Sequence, residues 1–352
     1  MLNDTSGILA LAQELERQKT TRMDIVVDSR ELIATPTPNG SVELIVPVPV
    51  NEGQEIYPNS YPLTDHAHSQ ISAKTGIPKK YYDQMRDGHP DLLSININEW
   101  LPSKDRKLVR VLDGNVRAFL SDRYRILDNH DLLFQALETF KDMGAEIHRA
   151  DLSETNMYVK AIVPHTIDEI KSGDTVVPGV VLRNSEVGGG AFRVDPFMLR
   201  LVCTNGMIGE SAIKKIHLGA QTEMGVIDWT DETRSAMDKT IWLQVRDTIK
   251  STFDPSTFAK WVDQVRKGTE VPIENPTLAI DNMISKFNMN QEYKTDLMNH
   301  FLTGGDASQW GLANAVTATA KYVKNVDVQV ELETIGGKLA IMPERELQKM
   351  WA

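Results

Sequence analysis

The sequence predicts an α+β protein: an antiparallel sheet region with packed helices, followed by a helical C-terminal region. Two observations carry this. Before about residue 225, several stretches alternate apolar and polar residues with period two. From Thr230 onward the apolar residues recur at helical spacing, as in Met237, Ile241, Val245 and Ile249. At 352 residues, with 41% hydrophobic and 25% charged, the chain can bury a sizeable core. Three regions are expected: an N-terminal helix and strands over 1–62, an α+β core over 63–227, and a mainly helical region over 228–352.

The elements follow in order. Ile8, Leu11, Ala12 and Leu15 make Gly7–Gln18 a helix. Ile25–Val27 and Leu32–Ile33 read as strands. Val42–Val50 is a strand interrupted by Pro47 and Pro49, which points to an edge or an extended arm. The polar, proline-punctuated 51–62 reads as loop. Thr64 or Asp65 caps a helix that Gly76 stops, and Pro78 opens a second through Tyr81, Tyr82 and Met85. Leu92–Leu101 reads as helix, ended by Pro102. Asp113-Gly114-Asn115 between two alternating runs signals a hairpin.

A helix over Asn129–Gly144 follows, with Leu132, Leu133, Ala136, Leu137 and Phe140 on one stripe. Ala145–Asp151 and Asn156–Val163 form a strand pair. Asp174–Asn184 is a β-branched strand, Gly188-Gly189-Gly190 a turn, and Ala191–Thr204 a long strand or a strand passing into a helix. Helices are then expected over 233–252, from Asp254 or Ser256 through Val265, over 277–287, 291–302 and 308–323. Lys324–Glu333 looks extended, and 343–351 closes with a short helix.

Charge and composition narrow the function. Lys+Arg is 38 against 49 Asp+Glu, a net −11, which argues against coating duplex DNA by bulk attraction. A single cysteine excludes a disulfide framework within one chain. No apolar run is long enough for a membrane span, and the amphipathic, acid-containing N-terminus does not read as a signal peptide. A cytoplasmic setting is expected.

Four motifs invite chemistry. Asp65-His66-Ala67-His68 would share a face for metal binding only on a strand, and Gly76 favours a helix with exposed histidines. Gly188-Gly189-Gly190 lacks the Lys-Ser/Thr of a phosphate loop and the spacing of a dinucleotide site, so a turn is expected. Cys203 follows an apolar run, has no nearby base and reads as a buried structural thiol. No metal, cofactor or catalytic set is expected.

The fourth motif departs most from the average. Leu101–Arg125 holds Lys104, Arg106, Lys107, Arg110, Arg117, Arg123 and Arg125 against Asp105, Asp113 and Asp122, a net +4 that leaves −15 for the remainder. Phe119 and Tyr124 interleave with the arginines. Two readings stand: a solvated strand face with local salt bridges, or a single-strand DNA surface in which arginines hold phosphates and aromatics stack bases.

The stretches Leu63–Gln70, Gly76–Tyr82, Leu108–Arg110, Val116–Arg125, Arg183–Gly188 and Arg200–Gly206 resemble the phage/plasmid-like family of proteins of unknown function, found in bacteriophages, prophages and plasmids. The resemblance runs from about Leu63 to about Ile216, with Trp310–Thr317 similar to the family's tail. It implies a mobile-element product acting inside a bacterial cell, with no catalytic motif to carry over. A looser analogy to single-strand annealing recombinases rests on fold alone.

The leading expectation is therefore a non-enzymatic, oligomeric single-strand DNA-binding or annealing protein using Arg106, Lys107, Arg110, Arg117, Phe119, Arg123, Tyr124 and Arg125. The alternative is an interaction module for a host or phage protein, such as a host-defence antagonist. Asn184 and Asn205 are expected to bond turn backbone.

Overall fold

The computed structural model describes residues 5–47, 58–103, 105–210, 213–215 and 231–351. It holds the expected α+β class, with antiparallel sheets first and helices after. The first half runs α1 (Thr5–Thr21), β1 (Arg22–Asp28), β2 (Ile33–Pro36), β3 (Val42–Pro47), β4 (Pro58–Pro62), α2 (Asp65–Thr75), α3 (Lys79–Gly88), α4 (Pro90–Trp100), β5 (Arg106–Leu112) and β6 (Asn115–Ser121). Then come α5 (Asn129–Asp142), β7 (Glu146–Leu152), β8 (Met157–Ile162), β9 (Asp168–Glu169), β10 (Thr175–Asn184), β11 (Phe192–Arg200), β12 (Asn205–Ile208) and β13 (Ile213–Lys215). The C-terminal helices are α6 (Asp231–Thr252), α7 (Pro255–Gly268), α8 (Pro276–Lys286), α9 (Lys294–Gly304), α10 (Gln309–Ala320), α11 (Val326–Ala340) and α12 (Glu344–Trp351).

Two small sheets, β1-β5-β6 and β2-β3-β4, meet where Thr64 donates its backbone N–H to Val116 at 3.0 Å. They share a core of Ile25, Val42, Leu44, Ile71, Tyr82, Leu93, Ile97 and Phe119, which α2, α3 and α4 help to build. The β5–β6 turn is built as expected: Asp113 and Gly114 take φ of 50° and 74°, the left-handed pair that matches strand twist in a two-residue hairpin. The α2 ends are also as expected, with Thr64 capping and Gly76 at φ 70°.

The main sheet orders its strands β12-β11-β10-β8-β7, with β9 on β10 and β13 on β11. Alternation splits its side chains. Met157, Val159, Ala161, Val180 and Leu182 pack with Leu11 and Leu15 of α1, Leu132 and Phe140 of α5, and Val245 and Ile249 of α6. Tyr158, Ile162, Val177 and Val181 share a second cluster with Val330 of α11. The first 62 residues are thus divided: α1 serves the main sheet, while β1 pairs with β5.

Three expectations are corrected. Residues 58–62 form β4 rather than loop. It is an edge strand with a proline at each end, where missing N–H groups are tolerated. That makes β3 the middle strand, with Pro47 at its end (Pro49 lies outside the described residues). The extended reading of Lys324–Glu333 also fails. Asn325 accepts from the backbone N–H of Asp327 and Val328 and starts α11 there.

Candidate functional site

The basic stretch does not form one accessible surface. Arg110 is 0% exposed and Arg117 8%; Lys107 is buried beside Asp105, and Phe119 lies fully inside the core. Arg106 and Arg123 are exposed, Tyr124 and Arg125 half-buried, and Lys104 lies outside the described residues. The physical reason is register. Asp24 of β1 sits opposite Arg110 of β5, so pairing the strands sets an acid beside the arginine.

The buried arginines close an ion-pair cluster. Arg110 Nε donates to Asp24 Oδ1 at 2.7 Å, and its NH1 to the Glu186 carbonyl at 2.5 Å. Arg117 NH2 donates to Glu186 Oε2 at 2.8 Å, while Glu186 Oε1 accepts the Asn129 backbone N–H at 2.6 Å. Arg22 pairs with Asp128 at 2.8 Å. Three guanidinium groups therefore meet three carboxylates, with Arg110, Arg117 and Glu186 buried, Arg22 and Asp128 half-buried, and Asp24 at the surface. Burial pushes the Arg117 pKa down, and the nearby Arg110 adds to the shift while Glu186 opposes it. Asp24, Asp128 and Glu186 were not singled out from sequence. The signal for them was the unexplained +4 itself, which needs compensating acids once its strands are buried.

The motif Asn184–Gly188 is the centre of this cluster. Asn184 Nδ2 donates to the Leu127 carbonyl at 2.7 Å and to Asn129 Oδ1 at 2.8 Å. Tyr124 Oη donates to the Ser185 carbonyl at 2.7 Å; burial raises its pKa to about 12. The Val187 carbonyl meets His66 Nε2 at 2.8 Å and accepts from Gln70 Nε2 at 2.7 Å. Gly188, at φ 76°, passes so close that a Cβ there would sit 2.6 Å from Leu120 Cδ2. Gly188 thus serves the close approach of this turn to Leu120 of β6.

The remaining motifs resolve locally. α2 carries both histidines, so they form no metal pair, but His68 is buried rather than exposed. Its Nδ1 lies 2.9 Å from the Tyr82 hydroxyl, and burial depresses its pKa to about 4. Among the described residues no group of three His, Cys, Asp or Glu could hold a metal. Cys203 is half-exposed rather than buried, in a turn where Arg200 NH1 donates to its Sγ at 3.1 Å. Asn205 Nδ2 reaches the Asn314 carbonyl at 3.4 Å, and Arg183 and Arg200 are held by Asp195 and Asp174.

A cavity of about 210 Å³ lies over the Arg117–Glu186 pair. Its walls come from the β5–β6 turn, the start of α5, the β7–β8 turn and the residues before α2.

A family model, a domain of unknown function (DUF932), matches residues 117–330, more than half of the chain. The chain belongs to the DUF932 family. The matched span contains Arg117, Asn129, Asn184 and Glu186 of the buried cluster, and Trp310–Thr317. It leaves out the Leu63–Tyr82 and Leu108–Arg110 motifs, which pack against it. No curated protein and no solved structure matches this DUF932 chain. No helix among its described residues is long and apolar enough to cross a membrane.

Proposed function

We propose that this DUF932 protein is a non-catalytic interaction module that receives a basic, amphipathic segment of another protein on the outer face of α4. The observation that carries this is the exposure of Leu92 (41%), Ile95 (65%) and Trp100 (63%) on one short helix. That helix has no cation, and Asp91 and Glu99 are exposed among the apolar side chains. Because the buried ion pairs are neutral, the whole −11 rests on the remaining charged groups. A second copy of the chain would set acid against acid at this face, whereas lysine or arginine flanking an apolar stripe complements it. The resemblance to phage/plasmid-like proteins supports a mobile-element role inside a bacterial cell, of which antagonism of a host-defence protein is one form.

The test uses a synthetic lysine/leucine amphipathic peptide and calorimetry on the full chain. Binding is expected for the wild type. Trp100→Ala should weaken it about thirtyfold, the roughly 2 kcal/mol of an interface anchor. No binding, or equal binding by a glutamate/leucine peptide, overturns the reading.

Single-strand DNA binding is the second reading. It retains one supporting observation: Arg106 and Arg123 are exposed at the same end of the β5–β6 hairpin, beside Tyr124. A gel shift with labelled single-stranded and duplex DNA at two salt concentrations tests it. A single-strand shift that collapses with salt supports it, and a sizing column reports whether an oligomer forms.

A further inference from the structure

The cavity over the Arg117–Glu186 pair plays no part in the α4 reading. At about 210 Å³ it is below the ~300–1,000 Å³ of drug-sized sites, so it suits a small planar ring system. Four carboxamides line it from four different elements: Gln18 in α1, Asn115 at the start of β6, Asn129 at the start of α5, and Asn156 before β8. Thr64, Ser153 and Thr155 add hydroxyls, and Leu112, Leu152 and Val187 add apolar surface.

The charges around the cavity are already engaged. Arg17 NH1 and NH2 each donate to one oxygen of Asp113 at 2.8 Å, which holds that carboxyl down at about 2. Both oxygens of Glu186 are occupied, by Arg117 and by the Asn129 N–H. Glu154 accepts from the His66 N–H at 3.3 Å. An incoming anion faces three carboxylates, and an incoming cation finds Asp113 and Glu186 bonded on both oxygens. Of the three, only the exposed Glu154 keeps an oxygen without a partner, so the walls favour a neutral molecule over an anion. Yet one strong donor is left over: Arg117, 92% buried by its 8% exposure, has an Nε without an acceptor. A buried guanidinium N–H without a partner is costly, which points to an acceptor supplied from outside the chain.

We propose that this cavity binds a nucleobase, either as a free nucleoside or as a base unstacked from a strand. A carboxamide sets a donor beside an acceptor, as the edges of nucleobases do. After their bonds within the chain, Asn115 and Gln18 each keep an oxygen and one N–H, Asn129 keeps its amide nitrogen and Asn156 its oxygen, enough to read a planar edge. A ring carbonyl that reached the Arg117 Nε would satisfy it without adding charge. The leucine and valine side chains contact the flat ring. The site lies off α4, so its failure leaves the peptide test untouched, and the reverse holds too.

The experiment titrates the full chain with thymidine, cytidine, adenosine and guanosine, and separately with a short single-stranded oligonucleotide, followed by NMR. Glucose and glutamine are the non-base controls. At least one nucleoside or the oligonucleotide should bind and shift the side-chain amide signals of Asn115 and Asn156. Binding by the nucleoside identifies a free base as ligand, and binding by the oligonucleotide alone identifies a strand. Asn115→Leu should weaken binding about tenfold, the worth of one hydrogen bond, and Asn115→Trp should block it. Ile95→Asp on α4 should leave it unchanged. The proposal is overturned if neither nucleosides nor oligonucleotide bind at millimolar concentration. It is also overturned if the amides do not shift, if both Asn115 variants bind as wild type, or if glucose or glutamine binds in place of the bases.

Discussion

Arg117 and Glu186 are 69 residues apart in the chain and 2.8 Å apart in the fold. The alternation that places Arg110 and Arg117 on strands was legible in the sequence. Their burial was not, because the acids that make it tolerable arrive from 86 and 69 residues away. Removing one partner leaves a buried charge uncompensated. Glu186→Gln should therefore lower unfolding free energy by about 3–5 kcal/mol in urea titrations. Replacing both partners, as in R117M/E186L, should lose much less than the sum of the single variants, since two apolar groups leave no orphaned charge. A double-variant loss equal to the sum of the two single losses would show that the pair is not coupled.

His68 gives a second test at this scale. Burial holds its imidazole at about 4, against an ordinary value of 6.5. The unfolded chain thus takes up a proton below about pH 6.5 that the folded chain refuses until about pH 4. Stability is level above that window, falls as pH drops through it, and levels again below. His148, also depressed to about 4 by burial, acts in the same window. The His68→Phe/Tyr82→Phe double variant removes one of the two contributions and leaves no unpaired hydroxyl. Its melting temperature should therefore fall less between pH 7 and 4.5 than that of the wild type.

Among elements, those with local signals were legible and those fixed by partners were not. The β5–β6 hairpin announces itself through Asp113-Gly114, because only certain residues accept positive φ there. Helix α11 hides. Val326, Val328, Val330 and Leu332 alternate like a strand, and the helix is decided by the Asn325 cap and by packing. That packing is unusually close. A Cβ on Gly337 would lie 2.1 Å from the Ile208 carbonyl oxygen of β12, and one on Gly336 would lie 2.3 Å from Thr317 Cγ2 of α10. The backbone of α11 therefore rests directly on the sheet edge. Gly337→Ala should cost about 2 kcal/mol or more, since a backbone atom must move to admit the methyl. Gly304→Ala on α9 meets open space and should change little or stabilise by up to about 1 kcal/mol. Thermal melts of the two variants separate close packing from helix propensity: similar shifts would deny the packing account.

At the scale of the molecule, sequence patterning exposed the change from strands to helices near Thr230 but not how the N-terminal segment is shared. Helix α1 was legible as a helix. Nothing in its own stripe says that Leu11 and Leu15 join the core of the main sheet while the next strand joins a different one. This sharing makes a prediction about the family span itself. A fragment of residues 117–330 begins inside β6 and stops inside α11. Of the core built on the two small sheets it keeps Phe119 alone, because the other buried members all precede Arg117. It loses Asp24 and Arg110 from the buried cluster, so Arg117 and Glu186 face solvent where β5 had covered them. It loses Leu11 and Leu15 from the main sheet's core, and Leu332, Ile335 and Leu339 from the helical one. Exposed strand edges and truncated cores leave too little burial to offset chain entropy. The isolated 117–330 fragment should show no cooperative thermal transition and poorly dispersed amide NMR signals, while the full chain melts cooperatively. A cooperatively folded fragment would mean that the N-terminal sheets are an addition to an autonomous domain and not part of its core.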